Sequence, residues 1–177
     1  SDVYKRQSLN YTDVARMIWA CRDAPAVPFI RIPDATEGDI QKATDIGALG
    51  LIVPMVDDAE KMEQAVHFAK YPPEGRRSQG GGQYGRLWGS DYRQTWNENL
   101  MVIAMVETLI GVDASAEIAG VDGVDGIFVA SGDLGSFSGK RQGDHEYEAL
   151  VDKINNGIES AGKYAGGPSA WMQTREG

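Results

Sequence analysis

Apolar and polar residues recur along this chain in two rhythms, and the switches between them mark its elements. Within 12–22, Val14, Met17, Ile18 and Cys21 fall at helical spacing, with Thr12 placed to cap the start. VPFIRI (27–32) is a short apolar run closed by Pro33, as in a buried strand. TEGD (36–39) resembles a capping box, followed by Ile40, Ala43 and Ile46, with Gly47 as a stop. LGLIVPM (49–55) predicts a second strand, and 58–69 a helix with Ala59, Met62, Ala65, Val66 and Ala69 on one stripe. MVIAMVE (101–107) and DGIFVA (125–130) predict two more strands, with a short helix near 113–120 between them. The longest helix is expected over 145–162, burying Tyr147, Leu150, Val151, Ile154, Ile158 and Ala161, and YAGGPSA (164–170) is a candidate fifth strand.

Strands that are apolar on both faces and alternate with helices make a parallel α/β sheet. Open doubly wound and closed barrel forms both fit. A barrel takes eight units and about 250 residues, more than five strands supply. Segment 71–98 breaks the rhythm: it is rich in Gly, Arg and aromatics and too long for an ordinary connection. Loops of this size are functional lids, interface segments or disordered, and a functional or oligomer-contact role is expected here.

Composition narrows the class. The 177 residues are 42% hydrophobic and 24% charged, with a net charge of −9, which fits one globular domain. An acidic chain without a basic block is a poor partner for nucleic acid or anionic lipid. No apolar run approaches the roughly 18 residues of a membrane span. One cysteine, Cys21, cannot form an internal disulfide, and its place in the helical stripe predicts an inert core residue. With no signal-peptide pattern, a cytoplasmic location is expected. The opening SDVYKRQ is polar and aperiodic and resembles translated adapter DNA, so 1–7 is expected to be a non-native leader; AWMQTREG ends where a helix should begin.

In a parallel α/β fold, ligands bind beyond the carboxyl ends of the strands. Arg31, Glu107 and Asp133 are placed there, the two carboxylates one strand–helix–strand step apart, with Gly132 beside them. Two carboxylates at neighbouring strand ends suit a hard cation such as Mg²⁺ or Mn²⁺, completed by water and substrate oxygens. A nearby Arg would neutralise a carboxylate or enolate. The competing reading makes Glu107 a helix cap, Asp133 a turn residue and Arg31 the partner of Asp45. Asp45 itself reads as a helix C-terminal residue or a supporting group. His67 and His145 read as structural or exposed, GGGQYG (80–85) lacks the strand and helix of a dinucleotide site, and no P-loop motif exists.

Taken together, VPFIRIPD, ATDIGALGLIVPMVDDAEKMEQAV, KYPPEGRRS, MVETLIG and GVDGIFVASGDLG resemble the metal-dependent class II pyruvate aldolases of the HpcH/HpaI (aldolase/citrate lyase) family, from about Leu9 to Gly167. The resemblance implies a (β/α)8 barrel of the phosphoenolpyruvate/pyruvate-binding type, incomplete at both ends, with 8–177 as one partial domain holding the third to seventh strands. It implies a divalent metal, Mg²⁺ or Mn²⁺ with Co²⁺ also compatible, on Glu107 and Asp133. It also implies Arg31 against the pyruvate enolate and backbone amides around Ser131, Gly132 and Asp133 on the pyruvate carboxylate. Asp45 would support the catalytic base and its water.

The implied reaction is reversible aldol cleavage of a 4-hydroxy-2-oxo acid to pyruvate and an aldehyde, in a homo-oligomer, a hexamer by resemblance. Two positions depart from the family. Ala130-Ser131-Gly132-Asp133 replaces Gly-Pro-Ala-Asp, and the position of the family's catalytic His falls on Arg6, so no base is assigned and the chain itself is expected to be inactive. A citrate-lyase-β-like acyl-CoA lyase is the rival within the fold, disfavoured by KYPPEGRR and by the lack of a basic segment for a CoA phosphate. A catalytically dead barrel serving as an assembly subunit is the rival from another class.

Overall fold

In the computed structural model, which describes residues 10–167, all five runs predicted as strands form strands, each shorter than its apolar run. The expected leader, Arg6 and the end of the fifth run (168–170) lie outside the described residues. The chain divides into two units, one of 10–53 with 64–102, the other of 54–63 with 103–167.

The first unit begins with α1 (Tyr11–Ala20). Its cap is Asn10 rather than Thr12: the Asn10 side chain accepts from the Asp13 amide at 3.0 Å, and Asp13 accepts from the Asn10 amide. A capping residue needs extended backbone with its oxygen turned over the first turn, which Asn10 provides one step before the helix starts. Cys21 is the C-terminal cap of α1 and half-buried, not a core residue, because the helix ends before its stripe does. β1 (Phe29–Arg31) pairs in parallel with β2 (Gly50–Val53), with Arg31 opposite Ile52. A Cβ on Gly50 would stand 2.2 Å from the Phe29 ring, so a side chain there would have to displace that ring.

Between them runs α2 (Glu37–Asp45), capped by Thr36, whose hydroxyl accepts from the Asp39 amide and donates to the Asp39 carboxylate. Asp39 therefore does not complete the reciprocal box. Gly47, at φ 101°, ends the helix in the left-handed region as expected. Segment 71–98 is built rather than open: it carries α4 (Tyr84–Leu87) and α5 (Tyr92–Asn99), with Tyr84, Leu87, Tyr92 and Trp96 buried. The helix α3 (Ala59–Ala69) starts among residues of the second unit and ends among those of the first.

In the second unit β3 (Met101–Val106), β4 (Gly126–Val129) and β5 (Tyr164–Gly166) are parallel and adjacent in sequence order, with Val106 opposite Val129. The first two residues of β3 group with the first unit, where the Met101 amide donates to the Leu49 carbonyl at 3.1 Å. One short helix was expected near 113–120; two form, α6 (Leu109–Asp113) and α7 (Ser115–Gly120). After β4 comes an unpredicted helix, α8 (Ser131–Ser138), then α9 (His145–Ser160). α9 buries Tyr147, Val151, Ile154 and Ile158, while Leu150 and Ala161 are only half-buried. α7 packs on α9 so closely that a Cβ on Gly157 would lie 2.9 Å from the Ala116 backbone.

Candidate functional site

Glu107 is the first residue after β3 and is 1% exposed. Burying a carboxylate requires partners for its oxygens. Its Oε1 accepts from the Met55 amide at 2.8 Å. Met55 has φ 51°, a left-handed conformation that costs a side-chain-bearing residue roughly 1–2 kcal/mol. Neighbouring bonds hold it there: the Val56 amide donates to the Met105 carbonyl at 3.2 Å, and Lys61 Nζ donates to the Met55 carbonyl.

The next residue, Thr108, caps α6 by accepting from the Gly111 amide at 3.1 Å and donates its hydroxyl to the Asp57 carboxylate. Gly111 is obligatory, since a Cβ would sit 2.4 Å from the Val56 carbonyl. The Glu-Thr-x-x-Gly spacing thus has a mechanical reason. Glu faces the strand end, Thr starts the helix, and Gly lets segment 54–57 pass against it.

The parallel register carries β4 out at the same end, where the Ala130 amide donates to the Val106 carbonyl at 3.1 Å. Asp133, exposed, stands in the first turn of α8. Asp133 is thus a helix residue and not a turn residue, and the helix cap is Thr108 and not Glu107. Leu134 packs α8 into the core, and the Tyr147 hydroxyl donates to the Ser131 carbonyl at 3.1 Å. Ala130 supplies no side-chain cap, which leaves the amides around Ser131, Gly132 and Asp133 at an open helix N-terminus, a setting that favours an anion. A Cβ on Gly132 would meet nothing within 4 Å, so space is open above that turn.

Among the described residues no three or more His, Cys, Asp and Glu side chains gather as a metal cluster. The donor set at this strand end is two hard carboxylates, Glu107 and Asp133. It fits a Mg²⁺-like ion that keeps several positions for water and substrate oxygens.

Arg31 and Asp45 lie in the first unit. Arg31 ends β1 and is buried. Asp45 ends α2, the helix that returns from the carboxyl end of β1 to the start of β2, so the two residues stand at opposite ends of that strand–helix–strand step. Asp45 is not the ion-pair partner that the competing reading gave Arg31. Its carboxylate is held by Arg77 Nη2 at 3.3 Å and Gln41 Nε2 at 2.7 Å.

Arg77 escaped the sequence reading. Its side chain is fully buried, its guanidinium lies 4.3–5.6 Å from the rings of Tyr71, Tyr84, Tyr92 and Trp96, and it donates to the Tyr92 hydroxyl at 3.0 Å. Burial pushes the Tyr71 phenol up to about 12 and raises Tyr92 further, against the opposing pull of Arg77. The available signal was an Arg within a segment carrying three Tyr and two Trp. His67 and His145 are both exposed.

The chain belongs to the HpcH/HpaI aldolase/citrate lyase family, whose model matches residues 9–172. It is 34% identical over 156 residues to 4-hydroxy-2-oxovalerate aldolase of Rhodococcus jostii, covering 85% of this chain and 59% of that protein. It is 38% identical over 148 residues to hydroxypyruvate/pyruvate aldolase of Chromohalobacter salexigens, covering 80% of this chain and 58% of that one. A crystal structure of an HpcH/HpaI family protein from Burkholderia cenocepacia superposes with a TM-score of 0.84 at 30% identity, over 94% of this chain and 70% of that one. The parallel strand–helix repeat is accordingly that of the family's (β/α) barrel. The chain spans about three-fifths of the length of these aldolases.

Proposed function

We propose that this protein is a divalent-metal-dependent aldehyde-lyase that reversibly cleaves a 4-hydroxy-2-oxo acid to pyruvate and an aldehyde. The observation that carries the reading is the pair of Glu107, directly after β3, and Asp133, in the open first turn of α8 that follows the neighbouring parallel strand β4. Membership of the aldolase family supports it.

Glu107 and Asp133 would hold the cation, which when bound supplies Lewis acidity toward the 2-keto group. Amides around Ser131, Gly132 and Asp133 receive the substrate carboxylate at the helix N-terminus. Cleavage removes the C4 hydroxyl proton and breaks C3–C4. The electron pair passes to the pyruvate enolate as the aldehyde leaves, and a proton at C3 completes pyruvate. Arg31 takes the enolate charge in this reading, a role it has by resemblance. Asp45 enters through the same resemblance, as the group that steadies the base and its water. Mg²⁺ or Mn²⁺ as the metal, hexameric assembly and a cytoplasmic location are further parts of the proposal; no helix among the described residues is long and apolar enough to cross a membrane.

The test is exchange of the pyruvate C3 protons with deuterated solvent, followed by NMR, using the protein with whatever flanking sequence its gene encodes. Exchange should need Mn²⁺ and stop with chelator. Asp133→Ala should weaken Mn²⁺ by more than about tenfold, a loss above ~1.4 kcal/mol. Metal-independent exchange, or equal Mn²⁺ affinity in the variant, would exclude the reading.

A further inference from the structure

We propose that Lys61 is a positioning residue for the cation: its ammonium fixes the Met55 peptide so that the Met55 amide stays on Glu107, and the site thereby gains affinity for a divalent ion from a positively charged side chain. The inference rests on the aldolase reading and adds to it a residue outside the donor set.

Met55, Lys61 and Glu107 all belong to the second unit. Met55 sits at φ 51°, a conformation that a residue bearing a Cβ leaves when nothing opposes it. What opposes it is a peptide group bonded on both sides. Its carbonyl, that of Met55, accepts from Lys61 Nζ at 3.2 Å, and its N–H, that of Val56, donates to the Met105 carbonyl at 3.2 Å. With that peptide fixed, a positive φ aims the Met55 N–H at Glu107 Oε1, 2.8 Å away. The Val56 bond joins backbone to backbone and survives any change of side chain. The Lys61 bond depends on one side chain. Lys61 is half-buried in the first turn of α3, where its own amide donates to Asp58 Oδ1 at 2.8 Å, so the ammonium is carried on an anchored helix end.

Two effects of Lys61 on a bound cation therefore oppose each other. Coulomb repulsion between like charges weakens binding. The clamp strengthens it, because Glu107 is buried, and a buried carboxylate oxygen that loses its donor turns to recover one and is no longer aimed at the ion. The sign of the net effect separates a clamp from a mere nearby charge.

The experiment measures Mn²⁺ affinity by electron paramagnetic resonance on the protein with its natural flanking sequence. It compares the unsubstituted chain, Lys61→Met, Met55→Gly and the double variant. Lys61→Met keeps most of the side-chain stem and should weaken Mn²⁺ by about fivefold or more. Glycine holds a positive φ without strain, so in the Met55→Gly background the same change should leave Mn²⁺ affinity equal or tighter. By NMR, the Met55 amide of metal-free Lys61→Met should exchange with solvent about fivefold faster, relative to the buried Ile154 amide of α9, which reports the fold. Unchanged or tighter Mn²⁺ binding in Lys61→Met would make Lys61 a charge and not a clamp. Equal weakening in both backgrounds, or Met55 exchange that only tracks Ile154, would assign Lys61 to general stability and equally overturn the proposal. If the unsubstituted protein binds Mn²⁺ and exchanges pyruvate protons while Lys61→Met matches it, the clamp alone is wrong; if the unsubstituted protein binds no Mn²⁺, both proposals fall.

Discussion

Arg77 shows how much one side chain can organise. A guanidinium removed from water needs both counter-charge and a soft surround, and here Asp45 gives the first and four aromatic rings the second. Arg77→Lys keeps the charge but loses the planar surface that stacks and the fork that reaches Asp45 and Tyr92 together. It should cost about 2–4 kcal/mol, near the lower end because Asp45 is a quarter exposed, read as a shifted urea midpoint. An unchanged midpoint would mean that Arg77 and its aromatic surround are not a source of stability. Glu107 and Asp133 could be picked from sequence because strand ends are few and carboxylates there are conspicuous. Met55 could not, since its contribution is a backbone amide turned by a positive φ, and nothing in the letters VPM announces that.

Elements with a strong period were readable, and those with mixed composition were not. α9 declared itself through Tyr147, Val151, Ile154 and Ile158, whereas α8 is written Ser-Gly-Asp-Leu-Gly-Ser-Phe-Ser, with one buried apolar side chain. Tertiary anchoring through Leu134 and the Tyr147 hydroxyl outweighs that poor propensity. The helices within 71–98 were not legible for a related reason: their core is a charge ringed by aromatics, which no apolar period reveals. The junction of α6 with segment 54–57 is the sharpest test of an element contact. Gly111→Ala would push a methyl to 2.4 Å from the Val56 carbonyl. Such overpacking should destabilise by about 1–3 kcal/mol, measured by thermal unfolding, with a larger effect on Mn²⁺ binding than Gly132→Ala, whose Cβ meets open space.

For the chain as a whole, the buried phenols set an alkaline limit. Tyr71 and Tyr92 are held un-ionised by burial, their folded values raised above the unfolded value near 10. A raised value stabilises the fold fully below about pH 10, and that stabilisation is lost as pH climbs through about 12. The melting temperature should therefore fall steeply over that interval, together with the rise of tyrosinate absorbance, and Tyr92→Phe should make the fall shallower. A melting temperature indifferent to pH there would refute it. The division of the chain carries a different consequence, for how such a protein can be cut and recombined. Its two units are interleaved, 54–63 grouping with the residues after 102 and not with their neighbours in sequence. A break between 102 and 103 would yield a second piece holding Glu107, Thr108 and Gly111 but missing Met55, Val56 and Asp57, the residues that grip them. Exchange of parts between relatives would thus have to move two separated stretches at once, so the carboxylate at the end of β3 is inherited together with a loop some fifty residues earlier.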